Sequence, residues 1–246
     1  PVTMGSIENP RGNDEFSLPL EEHLISETLR DSGYQNWMVG KWHLGGVRSD
    51  DLLPAQRGFD HFYGHVGAFI DSYTHRSIMG DRLDWQRNGQ PIDELGYSTD
   101  LLTDEAIELI GRRDSERPFF LYLAYNAVHT PLAAPEDLVE KYSFIEQENR
   151  RTYAAMLHAV DGNIGRLMTV LNEQALRENT LIFFMSDNGG NENMGGASND
   201  PFRGAKGQVF EGGIRVAAGV SWPGVIEPGQ VSEDFFSILD VFPTLV

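Results

Sequence analysis

The sequence predicts an α/β fold, with a mostly parallel central sheet sandwiched by helices. Three observations carry that prediction. Apolar runs of strand length alternate with segments of 3.6-residue periodicity, the runs are nearly continuous in apolar residues, and most end in a polar turn containing glycine or proline. Leu20, Leu24, Ile25, Thr28 and Leu29 recur at helical spacing, and Ser32-Gly33 closes the segment, so residues 20–32 read as a helix. Trp37-Met38-Val39 follows as a short buried strand that stops at Gly40 and feeds a loop from Lys41. Residues 46–97, rich in Gly, Asp, Arg, His and aromatics with weak periodicity, read as loops carrying short strands.

Leu101, Leu102, Ala106, Leu109 and Ile110 share one face of a second helix over residues 98–113. Residues 119–125, after Pro118, form a nearly unbroken apolar run that suits a strand covered on both faces. The longest periodic stretch spans residues 146–171 and predicts the longest helix. Residues 181–185 read as a third strand, and residues 214–222, ended by Pro223-Gly224, as a fourth.

With 246 residues the chain makes one large domain or two small ones. It has no cysteine, which excludes disulfide scaffolds and thiolate zinc sites. Its 19 basic and 37 acidic side chains leave a net charge of −18, and no basic patch is concentrated anywhere, so nucleic acid is excluded as the main partner. No apolar run approaches the roughly 20 residues of a membrane span.

In a fold of this class, ligands sit beyond the carboxyl ends of the strands. Lys41 and His43, one residue apart, point the same way in an extended segment and offer two positive donors to an anion or an ionised nucleophile, with Trp42 turned to the core. His129 precedes Thr130-Pro131, whose proline fixes the backbone around an imidazole suited to proton transfer. Asp187 and Asn188, followed by Gly189-Gly190, offer adjacent hard oxygen ligands for calcium or magnesium; the same residues also compose an ordinary turn. Lys206, between Ala205 and Gly207, can reach an oxyanion, while Arg203, Glu211 and Arg215 can form an ion-pair set under that loop. These spacings by themselves support hydrolysis of an anionic ester with an oxygen-bound metal.

Gly33-Tyr34, Gly40-Lys41-Trp42-His43-Leu44-Gly45, Arg57-Gly58-Phe59-Asp60, Pro118-Phe119-Phe120-Leu121-Tyr122, His129-Thr130-Pro131-Leu132, Ser186-Asp187-Asn188-Gly189 and Gly204-Ala205-Lys206-Gly207 through Arg215 together closely resemble the type I sulfatases, in order and in rough spacing. Asp84-Trp85-Gln86-Arg87-Asn88-Gly89 and Gly96-Tyr97-Ser98-Thr99-Asp100 look most like the arylsulfatase B branch, which acts on sulfated amino sugars. The resemblance implies an alkaline-phosphatase-like fold and release of inorganic sulfate from a sulfated carbohydrate or an aryl sulfate. It implies calcium, ahead of magnesium, on Asp187 and Asn188. Lys41 and His43 would flank a formylglycine nucleophile, and His129 and Lys206 would contact the sulfate and the leaving oxygen. His75 falls where the related branch recognises sugar, so it is a candidate for the pocket lining; His61 and His65 read as structural, His23 and His158 as solvated. A formylglycine-generating maturation enzyme would be a partner, and the resemblance favours a periplasmic or secreted location.

The family's nucleophile motif, Cys or Ser followed by x-Pro-x-Arg, has no match, since Ser6-Ile7-Glu8-Asn9-Pro10 has the wrong spacing. The expectation is therefore a partial catalytic domain over residues 1–246, incomplete at both ends, with the nucleophile and part of the metal shell outside it and no activity on its own. Two readings compete: a metal-dependent phosphodiesterase or phosphonate hydrolase of the same superfamily, and a catalytically dead, sulfatase-like glycan-binding protein.

Overall fold

A computed structural model describes residues 17–46 and 49–246. Residues 6–10, weighed above for the nucleophile motif, lie outside the described residues. The chain divides into two compact units, one running to Pro131 and completed by Val241–Val246, the other Leu132–Asp240.

The first unit carries helix α1 (Ile25–Asp31), strands β1 (Gln35–Lys41), β2 (His61–His65), β3 (Gln86–Arg87) and β4 (Gln90–Pro91), helix α2 (Ser98–Gly111) and strand β5 (Phe119–Ala124). Among the described residues its sheet has the order β4-β3-β2-β1-β5. The two long ladders are parallel: β1 pairs with β2 from Trp37↔His61 to Lys41↔His65, and with β5 from Gln35↔Phe119 to Gly40↔Ala124. β3 runs antiparallel to β2 and to β4, which makes the α/β sheet mixed. The reason is local: Asn88 and Gly89 both have positive φ (51° and 82°) and close a two-residue hairpin, a turn that joins only antiparallel strands.

The helix expected over residues 20–32 is shorter. Glu27 Oε2 accepts the Leu24 N–H at 2.7 Å and fixes the start at Ile25, while Gly33, at φ 88°, lets Tyr34 N–H return to Leu29 O at 3.0 Å. Behind β1, the fully buried Asn36 amide donates to Ser26 O at 2.6 Å and Gly58 O at 2.8 Å, tying α1 and the loop before β2 to the sheet. Met38, Trp42, Phe59, Phe62 and Val66 form an apolar core cluster, with Phe120 and Ala124 packed on it. α2 adds Leu102, Ala106, Leu109 and Ile110, the face its spacing predicts. β5 is less covered than its apolar run suggests, with Tyr122 48% exposed.

The second unit contains α3 (Glu136–Lys141), α4 (Glu148–Glu173), β6 (Ile182–Met185), α5 (Glu211–Ile214) and β7 (Ala218–Ser221). The fourth strand expected over residues 214–222 is trimmed, because Glu211-Gly212-Gly213-Ile214 coils into a helical turn in which Arg215 N–H reaches Glu211 O at 2.7 Å. What remains pairs antiparallel with β6, from Ile182↔Ser221 to Met185↔Ala218. A short helix, α6 (Val241–Leu245), completes the first unit. Among the described residues no helix is long and apolar enough to cross a membrane.

Candidate active site

Three strands of the first unit end together around Gly40. A Cβ there would lie 2.0 Å from Ala124 O of β5, and one on its partner Gly64 would lie 2.2 Å from Gly40 O, so only glycine lets β5, β1 and β2 approach this closely. Both glycines also have positive φ, 114° and 142°. The next residues along, Lys41 and His65, are ladder partners, and partners in a parallel ladder present their side chains on the same face. Beyond the strands the chains continue side by side, with Trp42 N–H on His65 O at 2.9 Å and His43 N–H on Val66 O at 3.0 Å.

Trp42 faces the core as expected: it is 5% exposed, its ring meets Phe59 edge-on at 6.0 Å, and its indole N–H donates to Leu52 O at 2.9 Å. His43 departs from expectation. Its φ of 53° puts it in the left-handed region, so the extended run from Lys41 ends at His43. Such a conformation in a non-glycine residue is held against its intrinsic preference by the surrounding structure.

His129 follows β5. Its N–H donates to Asn126 O at 2.8 Å, its ring packs on Phe69 at 4.9 Å, and its Nδ1 lies 2.7 Å from Thr130 O. A carbonyl oxygen only accepts, so the Nδ1 position carries the proton.

His65 lies in the same neighbourhood. It is fully buried, and burial pushes its imidazole down to about 4; Lys41 and His129 act in the same direction, Asp84 and the hydrogen bond to Gly67 O in the other. Asp84 is itself held by the N–H groups of Val66 (3.1 Å) and Gly67 (2.8 Å). The next residue, Trp85, stacks on His65 at 6.4 Å and on His75 at 4.4 Å and donates its indole N–H to Glu94 at 2.7 Å. His75 is thus fully buried against an indole, and its own pKa is lowered by burial. Asp71 supports that loop: burial raises its carboxyl, but the N–H groups of Thr74 and Tyr73 and the Thr74 hydroxyl overcome this and hold it below the usual range.

In the second unit, Asp187 and Asn188 occupy the bend after β6, Asp187 exposed and Asn188 half-buried. The bend is closed from behind by backbone: Gly189 N–H donates to Gly213 O at 2.9 Å, and a Cβ on Gly189 would stand 1.8 Å from Gly212 O. Lys206 joins the same structure through its own N–H, which donates to Gly190 O at 3.2 Å; Asn199 clamps Gly190 on both sides, at 2.8 and 2.9 Å. The Asp-Asn bend and the lysine loop are therefore tied together three residues beyond Asp187. Of the expected ion-pair set, Arg215 pairs with Glu211 at 3.2 Å, whereas Arg203 lies over the Phe210 ring at 3.8 Å.

Asp187 and Asn188 suit a hard cation in their donor chemistry, but two residues fill only part of a six- to eight-oxygen shell, and no group of three His, Asp or Glu able to hold a metal occurs among the described residues. For a formylglycine there is no cysteine and no Ser-x-Pro-x-Arg in the chain, so no residue here fits that group. His65, read from the sequence as structural, is fully buried against Trp85, and the register that sets it opposite Lys41 is something periodicity does not reveal.

The Sulfatase family matches residues 2–246, and the chain belongs to that family. It is 39% identical over 235 residues to arylsulfatase J of Mus musculus, covering 93% of this chain and 39% of that protein. It is 34% identical over 242 residues to the N-acetylgalactosamine-6-sulfatase of Canis lupus familiaris, covering 92% of this chain and 45% of the relative. Among solved structures it resembles Ps i-CgsB in complex with k-i-k-neocarrahexaose, with a TM-score of 0.92 and 34% identity over 99% of this chain and 56% of that one. The chain thus spans less than half the length of these two curated relatives. Members of the family generally use a metal ion and a formylglycine.

Proposed function

We propose that the chain is part of a sulfatase catalytic domain whose nucleophile lies outside it, and that the whole protein hydrolyses a sulfuric ester of a sulfated carbohydrate. The observation that carries this is the likeness to Ps i-CgsB, a protein crystallised with an oligosaccharide, at 34% identity over 99% of the chain. Formylglycine would supply the attacking oxygen, and a cation, calcium in this reading, would offset the sulfate charge. Lys41 and His43 place positive donors beside the nucleophile's position. His129, its Nδ1 proton tied to Thr130 O, would as an imidazolium carry a second proton on Nε2 and give it to the departing alcohol oxygen. Lys206 holds the sulfate, and Asp187 and Asn188 contribute oxygens to the cation. A net charge of −18 repels a polyanion at long range, so the local cations must do the capturing and added salt should favour it by screening.

The test is to express the full-length protein with a formylglycine-generating enzyme and measure inorganic sulfate released from sulfated oligosaccharides and an aryl sulfate, beside phosphodiester and phosphonate esters. Sulfate release that disappears in Lys41→Ala is expected. Turnover of the phosphorus esters alone would move the protein to the phosphodiesterase reading. Glycan binding without any turnover would make it a dead sulfatase-like binder.

A further inference from the structure

Next to Lys41 stands a buried imidazole with unused hydrogen-bonding capacity. His65 is completely buried, its Nδ1 lies 3.0 Å from Gly67 O, and its Nε2, also buried, has no hydrogen-bond partner. Because the Gly67 carbonyl can only accept, the proton sits on Nδ1, and the buried Nε2 is a bare lone pair. Leaving such an acceptor unpaired costs stability, so its presence calls for a donor. The pairing register puts Lys41 on the same face, one strand away, and the glycine pair immediately before them holds the two backbones in close approach. Trp85 stacks on the imidazole and Asp84 holds the following N–H groups, which fixes the ring in place.

We propose that His65 is a positioning residue for Lys41: a neutral buried imidazole whose Nε2 lone pair accepts the lysine ammonium and keeps that cation aimed at the reacting anion. The inference rests on the sulfatase reading above and deepens it. A second positive charge at position 65 would repel Lys41, and an apolar ring there would remove the imidazole acceptor. Either change acts on the placement of charge in the transition state more than on substrate capture, so it should appear in kcat.

The experiment compares wild type, His65→Gln, which keeps an acceptor, and His65→Phe, which fills the space without one, all as full-length matured protein. Steady-state sulfate release and thermal unfolding by circular dichroism are measured for each. Lack of wild-type activity defeats the sulfatase reading itself and is seen before any variant is made. With active wild type, the expected result is a kcat for His65→Phe lower by about tenfold or more, the size of one lost charge-assisted hydrogen bond, at nearly unchanged KM. His65→Gln should recover to within about threefold of wild type while melting no higher than His65→Phe. Equal losses in the two variants, losses that follow melting temperature, or no loss in either overturns the proposal. If His65→Phe does not fold, His65→Met takes its place, and failure of both to fold also overturns it, because the imidazole would then be serving the fold.

Discussion

Glu105 offers the sharpest test of how the first unit is held together. It projects from α2 toward β2 and β3, its side chain is 3% exposed, and His61 Nε2 lies 2.7 Å from Oε1, with Arg87 on Oε2 and Arg112 at 3.7 Å. The Asn88 amide nitrogen, 3.4 Å from His61 Nδ1, can only donate, so the proton of the imidazole stands on Nε2 and faces the carboxylate. Burial alone would raise the Glu105 carboxyl, but His61 and Arg87 outweigh it and hold the group below its ordinary value. Glu105→Gln keeps the shape and removes the charge. The buried contact to His61, close at 2.7 Å but outside hydrogen-bond geometry, is worth about 1.5–2 kcal/mol, the low end for an interaction with a charged group. Arg87 and Arg112 are 43% and 51% exposed and stay hydrated, so each adds only about 0.5 kcal/mol or less. The expected loss is roughly 2–3 kcal/mol, or about 5–10 °C in melting temperature for a unit of this size. The sign in pH follows from the depressed pKa: the stabilisation is full above the unfolded glutamate value of about 4.3 and is lost as pH falls through the lower folded value. Urea unfolding at pH 7 and at decreasing pH measures both. A difference below about 0.5 kcal/mol at pH 7, or one that does not shrink in acid, would refute the reasoning.

Three further outcomes are expected. Gly40→Ala places a methyl 2.0 Å from Ala124 O at a φ of 114°, so it should abolish soluble folded protein, and a well-folded variant by circular dichroism would contradict the close approach of β1 and β5. His65, lowered to about 4 in the folded state, is neutral there while its unfolded counterpart, near 6.5, takes up a proton; stability should therefore fall as pH drops from about 6.5 to about 4, and in His65→Gln that part of the urea-midpoint profile should flatten. Asp187→Ala should weaken calcium binding to the full-length protein by at least about tenfold in titration calorimetry, and unchanged affinity would remove Asp187 from the metal shell.

The strands and long helices were legible because their signals are local. Met38 and Val39 are buried as their run suggests, and Leu102, Ala106, Leu109 and Ile110 of α2 face the core at the spacing that predicts them. The misjudged places are those where a turn overrides a run. Asn88-Gly89 sends β3 and β4 back antiparallel, and Gly212-Gly213 coils residues that the apolar content of 214–222 assigns to a strand. Both signals were in the sequence, as a two-residue hairpin pair and a double glycine, but they fix chain direction and not burial, which is what periodicity measures.

The candidate site divides along the same line. Lys41, His129, Asp187 and Lys206 could be singled out because each follows an apolar run or sits in a glycine-rich loop, so chain position alone marks them. His65 could not, since it ends a strand of mixed composition and looks like packing. Its role depends on which residue stands across the ladder, on Gly67 taking one ring proton, and on an indole covering the ring. Those are pairwise facts created by register, and shifting β2 by one residue would bring Gly64 or Val66 opposite Lys41 instead. The charge at the strand ends is thus written in the sequence, while its orientation is written in the pairing.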